Sequence, residues 1–348
     1  MKYAYVGCRT TKERNARGKG IKVYKIEANG NWKEIQIVSN LVNPSFLCMD
    51  HARKYLYAIH GDFSEISSFM VNQDNGRLIY MNTVSTEGVN PVHLSIDKTN
   101  KWIFVANLQS GSVVVIPRKE DGSLGEHKEL YKIEGNNADA ISHPHQVMQD
   151  KTGEYLVVSC QGRKAGFGQV DVFRIDSEAG TLEKTDVVRS REIAEPRHVV
   201  FHPNNKFCYG VNEKDYSVTF YKFDAQNGGL VPCQILPTLP STYTGDGWAS
   251  GIVVDNDGKY IVVSNRKHDS ITCFEIDPQT GMLTYKDCIK TGGGQPRYIV
   301  VEDDTNIVWA ANETTDTITG FEINQDTGKL TPNGTKIHTE SPVCVIFN

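Results

Sequence analysis

The sequence repeats on a fixed interval. Six segments each contain a start residue that is followed sixteen positions later by an end residue. The start residues are Pro44, Pro91, Pro144, Pro196, Ala249 and Pro296, and the end residues are His60, Asn107, Cys160, Asn212, Asn265 and Asn312. Successive start residues lie 47, 53, 52, 53 and 47 positions apart. Such a period is typical of a chain built from copies of one supersecondary unit.

Each repeat is predicted to form four short strands. Between the start and end residues, two runs of β-branched and aromatic residues flank a polar turn, as in NPVHLSID followed by KWIFVANL. A third alternating run ends at a glycine, which is Gly76, Gly122, Gly180, Gly229, Gly281 or Gly328. Glycine at these places supplies the positive φ of tight hairpin turns. A less regular fourth strand then completes a four-stranded antiparallel unit.

The two chain ends carry complementary parts of a seventh repeat. The N-terminal runs KYAYVGC, GIKVYKIE and KEIQIVS match second, third and fourth strands, and the C-terminal run SPVCVIFN matches a first strand. Pairing the two ends closes a ring and leaves only short, protected sheet edges. The sequence therefore predicts an all-β fold, a single seven-bladed β-propeller domain over residues 1–348, closed by pairing of the C-terminal strand with the N-terminal strands.

Charge and composition argue against several classes of partner. The formal net charge is -5, from 37 basic and 42 acidic residues, which does not suit a nucleic-acid surface. Mixed charge along the chain argues against a membrane patch, and no apolar run is long enough to span a bilayer. The first residues belong to a strand and not to a signal peptide, and the eight cysteines lack paired spacing. A cytoplasmic location is therefore expected, with no expectation for the oligomeric state.

The repeat also brings polar residues together. Because the first two strands of a unit are antiparallel, start and end residues share one mouth of the central channel. The polar residues at or beside these positions are His60, His93, Asn107, His143, His145, Arg197, His198, Asn212, Glu213, Arg266, His268, Arg297, Asn312 and Glu313. Imidazoles and carboxylates serve as acids and bases, and arginines bind carboxylate or phosphate. The cluster favours an enzyme; the alternative, a non-catalytic binding propeller, would expose apolar and aromatic patches at its mouths.

Several of these segments resemble those of a known family. YVGCRT, SHPHQV, EPRHVVFHP, VNEKDYSV, SNRKHDSI and QPRYIVV are similar to segments of the seven-bladed lactonase family, which contains propeller-type 6-phosphogluconolactonases and fungal 3-carboxy-cis,cis-muconate cyclases. The resemblance covers essentially the full chain. It implies cofactor-free chemistry on a small anionic lactone or carboxylate. The activity implied first is hydrolysis of a sugar lactone such as 6-phosphogluconolactone, a carboxylic-ester hydrolase reaction; the alternative is cyclisation of a muconate.

The resemblance also implies residue roles. His145, Arg197 and Glu213 match the family's working histidine, arginine and glutamate. For hydrolysis, Glu213 or His145 would take a proton from water while Arg197 stabilises the developing oxyanion. The substrate-binding residues predicted at the same mouth are Arg266, His268, Arg297, His143, His93 and His60. A different interpretation makes Arg197 and Glu213 a structural ion pair between strands of one blade.

No metal site is predicted. His143 and His145 flank a proline, but no third ligand has suitable spacing, and the family that the chain resembles is metal-free. Cys160 near His145 suggests a nucleophile, yet covalent catalysis would require a lowered thiol pKa and a role absent from that family. Metal-assisted and thiol chemistry are therefore both disfavoured.

Two features depart from the family pattern. Cys160, Gln161 and Gly162 stand where relatives usually carry an aspartate-leucine-glycine run. Two basic loops, residues 9–20 and 163–169, are expected near the same mouth. Their charge suits a phosphorylated or polyanionic substrate.

Overall fold

The computed structural model describes residues 2–137, 139–303 and 305–348. In this part of the chain, 28 β-strands form seven four-stranded antiparallel sheets, and the helical structure is one 3₁₀ turn at Lys12–Arg14. None of the described helical residues belongs to a segment long and apolar enough to cross a membrane. The predicted all-β, seven-bladed architecture is confirmed.

The strands follow one another blade by blade. Blade 1 contains β1 (Lys2–Cys8), β2 (Ile21–Ile26) and β3 (Trp32–Val38). Blades 2 and 3 contain β4 (Pro44–Met49), β5 (Tyr55–His60), β6 (Glu65–Val71), β7 (Leu78–Ser85), β8 (Pro91–Ile96), β9 (Trp102–Asn107), β10 (Ser112–Pro117) and β11 (Glu129–Lys132). Blades 4 and 5 contain β12 (His143–Gln149), β13 (Tyr155–Gln161), β14 (Gln169–Asp176), β15 (Thr181–Arg189), β16 (Pro196–Phe201), β17 (Phe207–Asn212), β18 (Ser217–Asp224) and β19 (Gly229–Pro237). Blades 6 and 7 contain β20 (Ala249–Val254), β21 (Tyr260–Asn265), β22 (Ser270–Ile276), β23 (Leu283–Lys290), β24 (Pro296–Val301), β25 (Val308–Asn312), β26 (Thr317–Ile323) and β27 (Leu330–His338), and β28 (Pro342–Phe347) ends the chain.

The ring closes by pairing of the two chain ends. Strand β28 pairs antiparallel with β1 and supplies the innermost strand of blade 1, with Ala4 opposite Phe347 and Gly7 opposite Cys344. Buried apolar residues from blades 7 and 1 then pack together, including Trp309 and Val345. Ring closure therefore rests on both a strand ladder and a hydrophobic core, as the complementary ends predicted.

The core lies between neighbouring blades. Seven apolar clusters of buried residues each combine side chains from two adjacent blades. Tyrosine hydroxyls reinforce three of these contacts, since Tyr5, Tyr57 and Tyr209 donate to the glycine-turn carbonyls of the next blade at 2.9, 3.0 and 2.9 Å. Packing therefore positions every blade against the next, and in these three contacts a directed hydrogen bond adds to it.

The predicted glycine turns are confirmed with one correction. Five of the named glycines have positive φ, but in blade 5 the turn residue is Gly228 at φ +71°, and Gly229 begins β19. The Tyr155 ring of blade 4 lies where a side chain at Gly228 would stand, 2.2 Å from an ideal Cβ. Residue 228 therefore suits glycine for two reasons, its positive φ and the close approach of the preceding blade.

A β-bulge at the start of each innermost strand positions the site. The register between first and second strands shifts directly after the start residue in every blade, and after Pro342 in β28. A bulge leaves its extra residue unpaired and bends the strand. The residues next to the start residues, in order of blade from 1 to 7, are Val343, Ser45, Val92, His145, Arg197, Ser250 and Arg297.

Substituting the glycine turns tests the inter-blade contact. Gly122 and Gly30 share a φ of +84°, but an added Cβ would lie 2.2 Å from the Tyr55 ring at Gly122 and meets nothing within 4 Å at Gly30. We expect Gly30→Ala to lower the free energy of unfolding by about 1 to 2 kcal/mol, the cost of left-handed backbone. Gly122→Ala should cost about 2 to 4 kcal/mol because overpacking adds to that cost. Equal losses in denaturant titrations of the two variants would contradict the proposed contact.

Candidate active site

Two positions in each blade lie at one mouth of the channel. One is the bulge residue, and the other directly follows the end residue, or Cys8 in blade 1. From blade 1 to blade 7 the second set is Arg9, Gly61, Leu108, Gln161, Glu213, Arg266 and Glu313. Charged, imidazole and amide side chains come from blades 4, 5, 6, 7 and 1, whereas blades 2 and 3 contribute small or apolar residues. The mouth therefore has a polar wall and a neutral wall.

Glu213 is the centre of the polar wall. Its Oε2 accepts hydrogen bonds of 3.1 Å from Arg197 Nε and from Gln161 Nε2. Arg266 Nη2 lies 3.1 Å from the same oxygen. The other oxygen, Oε1, accepts a hydrogen bond of 2.8 Å from Trp248 Nε1. One carboxylate therefore joins blades 4, 5 and 6.

The two guanidiniums keep Glu213 ionised. Arg197 and Arg266 are only 3 and 2 % exposed. Burial raises the pKa of the Glu213 carboxyl, but the charges of Arg266 and Arg197 outweigh burial and hold that pKa well below its usual range. Arg266 also stacks on Trp248, with its guanidinium carbon 3.9 Å from the ring centroid. The cluster is therefore ionised and rigidly held at neutral pH.

His145 lies beside this cluster as an uncharged base. It is the bulge residue of β12, it is buried, and its Nδ1 has no hydrogen-bond partner in the part of the chain that the structure describes. Burial, followed by the charge of Arg197, lowers the pKa of His145 well below its usual value. The imidazole is therefore neutral at physiological pH and has a nitrogen available to accept a proton.

His145 and Arg197 line one recess, whereas Glu213 and Arg266 do not line it. The mouth recess is lined by Arg9, His145, Arg197, His198 and Arg297, among others. Its free volume is about 20 Å³. A volume of roughly 10 to 15 Å³ is enough for one water molecule. The base of the recess can therefore hold a water next to a neutral imidazole and a guanidinium.

Aromatic rings close the channel below the recess. The His198 ring centroid lies 5.3 Å from that of His145 and 5.7 Å from that of His93, and Phe46 stacks on His93 at 4.0 Å. Burial, followed by the charge of Arg197, lowers the pKa of His93 to about 3. His93 lines a second cavity of about 260 Å³ together with residues from the far ends of the innermost strands. The predicted substrate contact at His93 therefore lies beneath the recess.

Three other predicted substrate-binding histidines bond to the protein itself. Both ring nitrogens of His60 are engaged, by the Val42 carbonyl at 2.9 Å and by Ser67 Oγ at 2.7 Å. His143 Nδ1 lies 2.8 Å from the Leu108 carbonyl, and His268 Nδ1 lies 2.8 Å from a serine hydroxyl in its own blade. None of the three lines the mouth recess. The repeat places these three residues at the mouth ends of their strands, but their rings bond to neighbouring residues and lie outside the recess lining.

A second ion cluster lies in blades 7 and 1. Arg9 Nε is 3.1 Å from Glu313 Oε1, and Arg297 Nε is 4.0 Å from Glu313 Oε2. Arg9 is 6 % exposed and lines the recess, yet it was not among the predicted site residues. Extending the interval to the residue after Cys8 would have identified it. Trp248 and Gln161 were also missed as partners of the catalytic candidates.

Arginines of the first basic loop, residues 9–20, pair with acidic residues of neighbouring blades. Arg14 Nε donates to Asp62 at 2.8 Å, and Arg17 pairs with Asp316 at 2.7 Å while also donating to carbonyls of blade 7. In the second loop, the Arg163 backbone N–H donates to Glu195 at 2.8 Å. The arginines of the first loop therefore secure it, and only Arg9 at its beginning reaches the recess.

The environment of Cys160 does not suit a nucleophile. Cys160 is fully buried, and burial, followed by the charge of Asp171, raises the pKa of its thiol well above the usual value. A protonated thiol is a poor nucleophile. Over residues 2–137, 139–303 and 305–348, no three histidine, cysteine or acidic side chains form a group that could hold a metal ion.

Comparison with known families agrees with this architecture. Residues 3–347 match the family model described as "Lactonase, 7-bladed beta-propeller". The chain belongs to this family. The match covers every blade, including the strands that position the Glu213 cluster.

Individual relatives are distant in sequence and similar in structure. The chain is 28 % identical over 275 residues to the 6-phosphogluconolactonase of Bacillus subtilis, covering 77 % of this chain and 78 % of that protein. A crystal structure from Bacteroides fragilis superposes with a TM-score of 0.87 at 26 % identity, covering 100 and 98 % of the two chains. The periplasmic gluconolactonase of Pseudomonas aeruginosa superposes with a TM-score of 0.89 at 24 % identity, covering 100 and 99 %, and this likeness concerns the fold.

Removing the Glu213 charge should destabilise the protein in a pH-dependent way. Glu213→Gln leaves two buried guanidiniums without their counter-ion, so we expect a loss of about 3 to 5 kcal/mol in unfolding free energy near pH 7. Because the folded-state pKa of Glu213 is depressed, its contribution is complete above the unfolded pKa of about 4.3 and declines at lower pH. The gap between wild type and variant in denaturant titrations should therefore narrow below about pH 4.

A matched control separates this effect from general acid unfolding. Glu322 is exposed on the third strand of blade 7, and Glu322→Gln should stay within about 0.5 kcal/mol of wild type at every pH. A gap for Glu213→Gln that is constant from pH 7 to pH 3 would show that the depressed pKa has been misassigned.

Proposed function

We propose that this protein hydrolyses a sugar lactone at the channel mouth, with the attacking water in the mouth recess. The proposal rests on one arrangement: Arg197 and a neutral His145 line this recess, and the buried Glu213 carboxylate holds Arg197 in place. Ester hydrolysis requires a base for water and a cation for the oxyanion. Both groups are present within one small space.

His145 suits the role of general base better than Glu213. Both oxygens of Glu213 already accept hydrogen bonds, and Glu213 does not line the mouth recess. His145 is neutral at physiological pH, and its Nδ1 is unpartnered among the described residues. In the proposed mechanism His145 removes the proton from a water molecule at the base of the recess.

Arg197 and Glu213 have separate roles in the proposed mechanism. The water oxygen bonds to the lactone carbonyl carbon, and the carbonyl oxygen becomes negatively charged as the tetrahedral intermediate forms. Arg197 lines the recess and stabilises this charge, while Glu213 and the Ser250 carbonyl fix its Nε and Nη1. When the bond to the ring oxygen breaks, the proton on His145 passes to that oxygen. The product is an open-chain hydroxy acid, which ionises in water.

The family and its relatives indicate the substrate class. The chain belongs to a lactonase family, and its relative from Bacillus subtilis is named 6-phosphogluconolactonase. A cationic mouth also suits an anionic sugar lactone. We therefore propose 6-phosphogluconolactone as the first substrate to examine, in a reaction that needs no cofactor.

An acid-release assay tests the proposal. Wild-type protein in weak buffer should consume 6-phosphogluconolactone faster than buffer alone, and His145→Gln should lower kcat by about 10²- to 10⁴-fold, the contribution of a positioned base. His338→Gln, on the exposed outer strand of blade 7, should leave kcat unchanged. If wild type consumes no phosphorylated or plain sugar lactone, hydrolysis is refuted, and lactone formation from 3-carboxy-cis,cis-muconate becomes the reaction to measure.

The pH profile distinguishes the two candidate bases. With His145 as base, a depressed histidine pKa means that kcat, after subtraction of the buffer rate, stays flat from about pH 6.5 upward and falls only in acid. The acid limb should disappear in His145→Gln, leaving a low and nearly pH-independent rate. An acid limb that is unchanged in His145→Gln but absent from Glu213→Gln would instead identify Glu213 as the base.

A further inference from the structure

We propose that Arg9 and Arg297 form a second anion subsite, which binds the phosphate group of a phosphorylated lactone and gives the enzyme its preference for that substrate. The inference rests on the proposed lactone hydrolysis and adds to it the residues that select the substrate. Arg9 is the residue added here, because the catalytic roles proposed above do not involve it.

The two guanidiniums have more charge than their surroundings neutralise. Arg9 and Arg297 share the single carboxylate of Glu313, at 3.1 and 4.0 Å. The other nearby carboxylate, Asp62, is 3.7 Å from Arg9 Nη1 but hydrogen bonds to Arg14 at 2.8 Å. Two cations therefore compete for acceptors that are already in use.

Arg9 keeps unused hydrogen-bonding capacity. Its Nη1 is buried and has no hydrogen-bond partner among the described residues. Burial, followed by the charge of Arg297, lowers the pKa of Arg9 to about 9. A buried donor without an acceptor is costly, so an incoming anion that accepts from Arg9 gains the full value of the bond.

The geometry separates this subsite from the reacting centre. Arg9 and Arg297 come from blades 1 and 7, while Glu213 and Arg197 come from blade 5, and blade 6 lies between the two pairs. Both arginines nevertheless line the same recess as His145 and Arg197. Because the recess itself admits about one water molecule, the ligand would lie across the mouth above it, with one end at that water and the other at the Arg9–Arg297 pair.

Phosphate is the anion that this pair suits best. A phosphate monoester is largely dianionic at neutral pH and has three acceptor oxygens, so it can neutralise two guanidiniums at once. Arginine forks bind such oxygens in bidentate geometry. A bound phosphate would accept hydrogen bonds from both guanidiniums, which share only Glu313 in its absence. A plain sugar hydroxyl offers no charge and would leave the two cations as they are.

A substrate comparison tests the subsite. Arg9→Gln should raise KM for 6-phosphogluconolactone by about 10- to 100-fold, the loss expected for one charged hydrogen bond, with kcat nearly unchanged. Its kcat/KM for unphosphorylated glucono-1,5-lactone should change by less than about threefold, because that substrate has no phosphate group to contact Arg9. Arg77→Gln, the same substitution at an exposed outer turn, should match wild type on both substrates. Equal losses on the two lactones would overturn the inference.

Product binding keeps the subsite testable apart from catalysis. We expect 6-phosphogluconate to raise the melting temperature of wild type more than gluconate does, and Arg9→Gln and the partly exposed Arg297→Gln each to abolish that difference. If wild type hydrolyses neither lactone but shows this difference, the proposed function fails and the anion subsite stands. If gluconate and 6-phosphogluconate stabilise wild type equally, the subsite is refuted whatever the activity. If Arg9→Gln does not fold, the same comparison of the two products with Arg297→Gln tests the subsite.

Discussion

An unpaired residue in each innermost strand determines which side chains reach the channel mouth. The bulge follows the start residue in every blade, and in blades 4, 5 and 7 its residue is His145, Arg197 or Arg297. Side chains in a strand alternate between two faces, so a one-residue shift changes the face of every residue that follows. The same strand can therefore present an ionisable group at the mouth and bury an apolar residue such as Val199 in the inter-blade core. Without this irregularity, recess and core would compete for the same positions.

Charge is distributed unequally around the mouth. At Glu213, a single carboxylate is fully paired with two guanidiniums, an amide and an indole, which makes a rigid and strongly ionised centre. At Glu313, a single carboxylate is shared by Arg9 and Arg297 over longer or partial contacts. Both clusters set two guanidiniums against one carboxylate, and each has a buried arginine nitrogen without a hydrogen-bond partner among the described residues, Arg266 Nε in the first and Arg9 Nη1 in the second. They differ in that Glu313 makes fewer and longer contacts than Glu213 does. The proposed roles follow this difference, with the chemistry at blade 5 and substrate selection at blades 7 and 1.

The repeat predicted which residues lie at the mouth, because that depends on strand register. It was less informative about which side chains enter the recess, because that depends on side-chain direction. Arg197 and Glu213 follow from the interval, and the structure places them 3.1 Å apart, in an ion pair within one blade whose arginine lines the recess. His60 obeys the same interval, yet its ring turns into its own blade because Ser67 and a backbone carbonyl offer it partners there. Arg9 was overlooked because blade 1 begins midway through a repeat. The interval fixes where a Cα lies, whereas local partners fix where its side chain points.

The sequence by itself determined the ring: a constant period, glycine turns and complementary chain ends admit few arrangements other than seven closed blades. It also determined which mouth gathers the polar residues, because antiparallel pairing fixes which strand ends meet. Only the tertiary structure decided which of those residues act together, since contacts across blades depend on packing between segments far apart in the chain. The same holds for protonation: Glu213 is a weak base and His145 a neutral imidazole because of burial and of charges supplied by other blades. Neither condition can be read from the residues alone.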